Sequence, residues 1–266
     1  MVPHRLYPYF SGVIKTVIIG SGNVAYQLHR AILQAESVSL EQVAARRPEA
    51  LRDFDPQVPK AGLSDALAPA DLYLLAVSDR AVGTVSEQVE TGGGLVVHTS
   101  GTLGVDALYG NRRKGVFYPL QTFSRSRPLP FSGIPVLLEA QRTEDLELLE
   151  ALGAALGART HRCRQRERLV AHLAAVFANN FSNHMVYQAQ RLCRRHGLEP
   201  GLLNPLLRET LEKLMAMPAL EAQTGPARRR DRNTQEAHRG LLGPGLPLEL
   251  YDLISQSIEK TYENEL

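Results

Sequence analysis

Ile18-Ile19-Gly20-Ser21-Gly22-Asn23-Val24-Ala25 joins a β-branched run that starts at Val13 to an amphipathic stretch that starts at Asn23. Each small residue has a job in such a junction. Gly20 permits a tight turn, Gly22 lets the backbone approach a pyrophosphate, and Ala25 lets helix and strand pack closely. A GxGxxA pattern between a buried strand and a helix predicts a dinucleotide-binding βαβ unit, with the pyrophosphate at the positive helix N-terminus. Gly20, Ser21, Gly22, Asn23, Val24 and Ala25 are therefore candidate cofactor-binding residues. A purely structural glycine turn is the alternative.

Outward from this loop, short apolar runs alternate with helical patterns: EQVAAR, then PEALRDF, DLYLLAVSD, a helix over Arg80 to Val89, LVVHTSG, GVFYPL and IPVLLEA. Runs apolar throughout, separated by helices, call for a mostly parallel sheet covered on both faces. A helix over Glu144 to Leu156 and a closing strand near Arg159 to Cys163 complete the pattern, and helices alone follow. They are predicted over Gln165 to His196, Leu202 to Met217, Asn233 to Leu241 and Leu246 to Tyr262, and Pro226 keeps the segment QTGPARRRDR out of any helix. The expected fold is α/β, a doubly wound Rossmann sheet followed by an all-helical C-terminal domain. Its expected parts are a loose leader over residues 1–12, a dinucleotide-binding domain over 13–163 and a helical substrate and dimerisation domain over 164–266.

Composition narrows the function classes. The 266 residues carry 30 Lys+Arg and 28 Asp+Glu, a net charge of +2, with arginines in short clusters instead of along one face, so nucleic acid is not the expected partner. Two cysteines cannot build a disulfide framework, and no metal-ligand spacing is present. The first dozen residues lack a signal-peptide pattern and no apolar stretch is long enough to span a membrane, so a cytoplasmic location is expected.

Cofactor choice is read at the end of the second strand, where NAD sites usually offer an acidic side chain to the ribose. This chain offers Arg46 and Arg47, followed by Pro48. Two cations at a helix N-terminus oppose the dipole unless an anion such as a 2′-phosphate binds between them, which makes NADP the expected cofactor. Alternatively they point into water. Polar groups recur at successive strand ends, where open α/β sheets place ligands: Val77-Ser78-Asp79, His98-Thr99-Ser100 and Tyr118.

The helix after residue 163 carries no charge from Leu169 to Gln190. On a regular helical wheel His172, Asn179, Asn180, Asn183, His184 and Tyr187 share a sector of about 140°. A polar, neutral face suits a cleft that holds a substrate. His184 is the best-placed acid/base candidate, with Asn180, Tyr118 and His98 as further catalytic candidates, while His172 reads as structural. Asn179, Asn183, Thr224, Gly225 and Arg229 are candidate substrate contacts.

The strings IIGSGNVA, AVSDRAV, VVHTSG, GVFYPLQTF, IPVLLEA, AVFANNFSNH and QTGPARRRD together resemble a group of Rossmann-like proteins with a C-terminal helical domain of unassigned function. That group is distantly similar to pyrroline-5-carboxylate reductase and 6-phosphogluconate dehydrogenase. The resemblance implies an NADP-binding oxidoreductase fold and a homodimer formed through the helical half. Thr224-Gly225-Pro226 looks like the reductase's substrate loop, without its serine and second glycine. The dehydrogenases place a Lys and an Asn one turn apart on the long helix, and Asn179, Asn180, Asn183 and His184 stand here with no lysine. The expected activity is NADPH-dependent reduction of a small C=N or C=O compound. A nucleotide-sensing or scaffold protein that transfers no hydride is the alternative.

Overall fold

The computed structural model describes residues 12–110 and 112–263, so the leader expected over residues 1–12 lies, Gly12 apart, outside the described residues. Eight strands form one sheet: β1 (Ile14–Ile19), β2 (Val38–Ala45), β3 (Lys60–Gly62), β4 (Leu72–Leu75), β5 (Leu95–His98), β6 (Lys114–Pro119), β7 (Pro135–Ala140) and β8 (Arg159–Arg162). Their order is β3-β2-β1-β4-β5-β6-β7-β8, parallel throughout except where β7 runs antiparallel to β6. The chain moves outward from β1 through β2 to β3, then returns to place β4 on the other side of β1. That reversal is the switch point at which open α/β sheets hold ligands beyond the carboxyl ends of their strands.

Side chains alternate across the sheet. Ile14 and Ile18 point to the face covered by α1 (Asn23–Leu33), where Leu28 and Ile32 are buried, and by α3 (Thr143–Ala155) through Leu148, Leu149 and Leu152. Val17 and Ile19 point to the opposite face, where α2 (Asp79–Gln88) presents Val82 and Val85. Each such fully buried Leu or Ile contributes about 1.5–3 kcal/mol, so the two apolar layers fix which way every strand end faces.

The segment after Arg47 is a 3₁₀ turn over Pro48–Leu51, shorter than the helix expected from PEALRDF, because Pro48 starts it and Leu51 already reaches the core. β3 has no counterpart among the expected strands, since three residues carry too little periodicity to be read.

The helical pattern starts with α4 (Gln165–Ala175), continues through a π-helical segment over Val176–Phe181 and resumes as α5 (Ser182–Arg195). The regular wheel that put His172 in one sector with Asn179 to Tyr187 is therefore not kept, because a π turn carries more residues than an α turn. α6 (Asn204–Ala216), α7 (Ala219–Ala222), α8 (Arg232–Leu242) and α9 (Leu246–Thr261) follow.

The change of pattern falls at residue 163, yet the compact units are 1–179 and 180–266. α4 belongs with the sheet because Arg168, fully buried, donates to the Glu139 carboxylate on β7 and to the Leu103 carbonyl. In the second unit the described buried residues are few: Ala227, Gln235, Ser255 and Tyr262.

Candidate functional site

A cleft of about 560 Å³ opens at the carboxyl ends of β1, β2, β4, β5 and β6. Gly20 makes it possible. Its φ is +142°, and a β-carbon there would stand 2.2 Å from the Ala76 carbonyl oxygen, so only glycine lets β1 turn this close to the end of β4. Gly20→Ala should cost at least about 2 kcal/mol of stability in urea denaturation, combining a strained backbone with a backbone clash. Gly22 differs: a β-carbon would meet nothing within 4 Å, so its backbone borders open space.

Two helices begin at this cleft. Gly22 caps α1 and Ser78 caps α2, neither with a side-chain hydrogen bond to the first-turn amides; the Ala81 N–H donates to the Ser78 carbonyl at 2.8 Å, which leaves the N–H groups of Asn23 and Val24 on α1 and of Asp79 and Arg80 on α2, with the positive dipole ends, to an anion. Arg46, exposed at the end of β2, lines the same cleft and forms no ion pair among the described residues. These features fit a dinucleotide: room at Gly22, donors for a pyrophosphate and a free guanidinium for a further phosphate.

Tyr118 lies on β6, four strand spacings from β2, roughly 19 Å at about 4.8 Å per strand. Its hydroxyl is 2.9 Å from Nδ1 of His172 on α4. Gly101 makes room for both: a β-carbon there would stand 2.7 Å from His172 Nδ1 and 2.8 Å from Tyr118 Cζ. Burial, and secondarily the negative charge of Asp79, push the Tyr118 phenol above its ordinary pKa, so it stays protonated at neutral pH. Asp79 in turn accepts from the Thr102 hydroxyl at 2.5 Å. The Ser100 hydroxyl oxygen accepts from the Thr102 and Leu103 N–H groups at 3.1 Å each, fixing the turn after β5.

Of the residues selected from sequence, Gly20, Ser21, Gly22, Asn23, Val24, Arg46, Val77, Ser78, Asp79, Thr99, Ser100 and Tyr118 line this cleft. Five residues differ from expectation. Ala25, on α1, is fully buried and serves the close packing expected of it, without lining the cleft. The Asn23 amide donates to the Phe123 carbonyl at 3.0 Å, a tie to a neighbouring loop. His98, expected as a proton donor, is fully buried, with Nδ1 accepting from the Ser100 N–H and Nε2 donating to the Gly104 carbonyl, each at 3.1 Å. Burial holds its pKa below the usual imidazole value, so it is a neutral ring that braces the turn. Arg47 is exposed at the start of the 3₁₀ turn and is not among the lining residues. His172, read from sequence as structural, does line the cleft.

The second unit holds the remaining candidates. Asn180, Asn183 and His184 are exposed, and the His184 ring is 2.9 Å from the amide of Gln188 one turn later on α5. Thr224 borders an apolar groove of about 730 Å³ between α5 and α9, and Gly225 takes φ +107° to begin the loop. Arg229 is exposed. Arg228 stacks over the Tyr262 ring at 4.8 Å and Arg232 forms a two-pronged pair with Glu259, so these two arginines of the basic run are engaged within the unit. Asn179 closes the first unit within the π segment and is exposed. No group of His, Cys, Asp or Glu among the described residues is placed to hold a metal, and no described helix is long and apolar enough to cross a membrane.

Comparison with known proteins places residues 10–122 in a Rossmann-like domain family and residues 134–258 in the family described as domain of unknown function DUF2520. A Bacteroides fragilis protein, described provisionally as an NADP oxidoreductase, is 33% identical over 93% of this chain and 98% of its own, with a TM-score of 0.84. A reductive aminase from Aspergillus terreus, solved with NADPH and ethyl levulinate, is 15% identical over 94% of each chain, with a TM-score of 0.68. Plasmodium falciparum pyrroline carboxylate reductase with NADP bound is 14% identical over 94% of this chain and 93% of its own, with a TM-score of 0.56. The last two likenesses are likenesses of fold. Comparison with curated proteins gave no match.

Proposed function

Since this chain belongs to the family that joins a Rossmann-like domain to the helical domain DUF2520, we propose that it is an NADP(H)-dependent oxidoreductase acting on a small C=N or C=O compound. The observation that carries the reading is the single cleft that has a glycine phosphate loop and an unpaired arginine at one end and a hydroxyl–imidazole pair at the other. The 33% identity with a protein described as an NADP oxidoreductase supports it.

In this reading the first-turn amides of α1 and α2 hold the pyrophosphate, and Arg46 binds the 2′-phosphate. NADPH, when bound, supplies the hydride. Tyr118 supplies the proton. With hydrogen on Nδ1, His172 donates to the phenol oxygen, which frees the Tyr118 O–H to face the acceptor and stabilises the phenolate left behind. Tyr118 is assigned this role over His184 because its hydroxyl already stands in the cleft with a partner. On sequence pattern alone, Asn179, Asn180, Asn183, His184, Thr224, Gly225 and Arg229 remain proposed substrate contacts.

A titration of the full chain with NADPH and NADH tests the cofactor reading. Arg46→Ala should weaken NADPH about tenfold or more and NADH little, because only the former carries the phosphate that the guanidinium grips. Binding of neither nucleotide by the wild-type chain would refute the function.

The same proposal includes a homodimer through the helical half. Large apolar side chains there are open to solvent, among them Leu202 at 66% and Met215 at 89% exposure, and such a surface ordinarily marks an interface.

A further inference from the structure

A third segment ties the phosphate loop to the segment that follows Arg46. Arg125, on the connection between β6 and β7, donates to the Ser21 carbonyl in the phosphate loop and pairs with Asp53 at 2.8 Å, seven residues beyond Arg46. Its guanidinium lies 5.4 Å from the Tyr26 ring centre and 5.8 Å from that of Phe54. The neighbouring carbonyls of Phe123 and Ser124 accept from Asn23 and Gln27 at 3.0 Å each, so this connection is strapped along the first turns of α1. Arg125 itself is absent from the cleft lining.

Resting on the reading that the cleft binds NADP(H), we propose that Arg125 is a positioning residue that sets cofactor specificity by tying the phosphate loop to the Arg46-bearing loop. A dinucleotide must satisfy the pyrophosphate cradle and the 2′-phosphate cation together, and the two lie on separate loops after β1 and β2. A planar guanidinium with one hydrogen bond to each loop fixes their separation, which a flexible ammonium would do less well. Its donation to the Ser21 carbonyl also polarises the Ser21–Gly22 peptide, which strengthens the Gly22 N–H as a donor toward an anion. Leu51 and Phe54 are buried and anchor the second loop, so removal of the tie should shift the loop without unfolding the unit.

The test is a double-mutant cycle on the full chain, read as Kd for NADPH and for NADH, with thermal denaturation confirming that each variant is folded. Arg125→Met should weaken NADPH about tenfold and NADH less, so the preference for NADPH falls toward that of Arg46→Ala. Asp53→Asn, which loosens the same tie from the other side and leaves the guanidinium in place, should lower the preference in the same direction. In the Arg46→Ala background, Arg125→Met should no longer change the preference, because the cation it positions is gone. An Arg125→Met variant that weakens both nucleotides equally, or whose effect on the preference adds fully to that of Arg46→Ala, overturns the positioning role while the nucleotide site stands. Failure of the wild-type chain to bind either nucleotide overturns both.

Discussion

Tyr118→Phe should lower the rate of NADPH oxidation about 100-fold or more with any carbonyl or imine the wild-type protein reduces, with NADPH affinity near wild type. The substitution deletes one oxygen. The ring still fills the space between Gly101 and α4, so packing is retained while the proton and the hydrogen bond to His172 are lost. A loss in turnover without a loss in binding marks a group that acts on the reacting atoms. His172→Asn should have a smaller effect, because it removes the partner of the phenol and leaves the phenol itself. Unchanged turnover in Tyr118→Phe would return the proton to His184, the candidate that helical spacing favours.

Helical spacing selects His184, whereas the cleft brings forward Tyr118 and His172, and the difference is a matter of range. Much of the local structure was legible: the glycine loop, the longer strand runs and the helical pattern after residue 163 each follow from periodicities of a few residues, and the sheet forms where they place it, with the short β3 added. The pairing of Tyr118 with His172 joins positions 54 apart, and the Arg125 tie to Ser21 joins positions 104 apart. No local pattern encodes such contacts. The π segment defeats the wheel for a related reason, since it is a local departure from the period on which the wheel depends. His98 was misplaced by a correct rule: strand ends do face the cleft, but strand side chains alternate, and His98 takes the inward turn while Thr99 lines the opening. The direction of β7 is not legible in sequence because an apolar run reads the same in either direction.

The largest stability effect is expected at Arg168. Its side chain is fully buried, its guanidinium binds Glu139 and the Leu103 carbonyl, and its Nε has no partner among the described residues. Arg168→Leu strands a largely buried carboxylate and a carbonyl, which should cost about 3–5 kcal/mol, measured as a shift in the urea denaturation midpoint of the sheet-containing unit. The same pair can be worth little as a net stabiliser, because burying both charges carries its own desolvation cost; Arg168→Leu combined with Glu139→Leu should therefore recover much of the loss. If the double variant is as unstable as the single, the pair stabilises on its own account and its contribution exceeds that desolvation cost. The pair also reaches the chemistry. His172 stands one turn after Arg168 on α4, on the same helical face, so the buried guanidinium that docks this turn onto β7 also points the imidazole at Tyr118. Turnover in the restabilised double variant separates the two roles: a folded protein that remains slow shows that the ion pair is retained to aim His172, and a folded protein at wild-type speed shows that apolar packing aims it equally well.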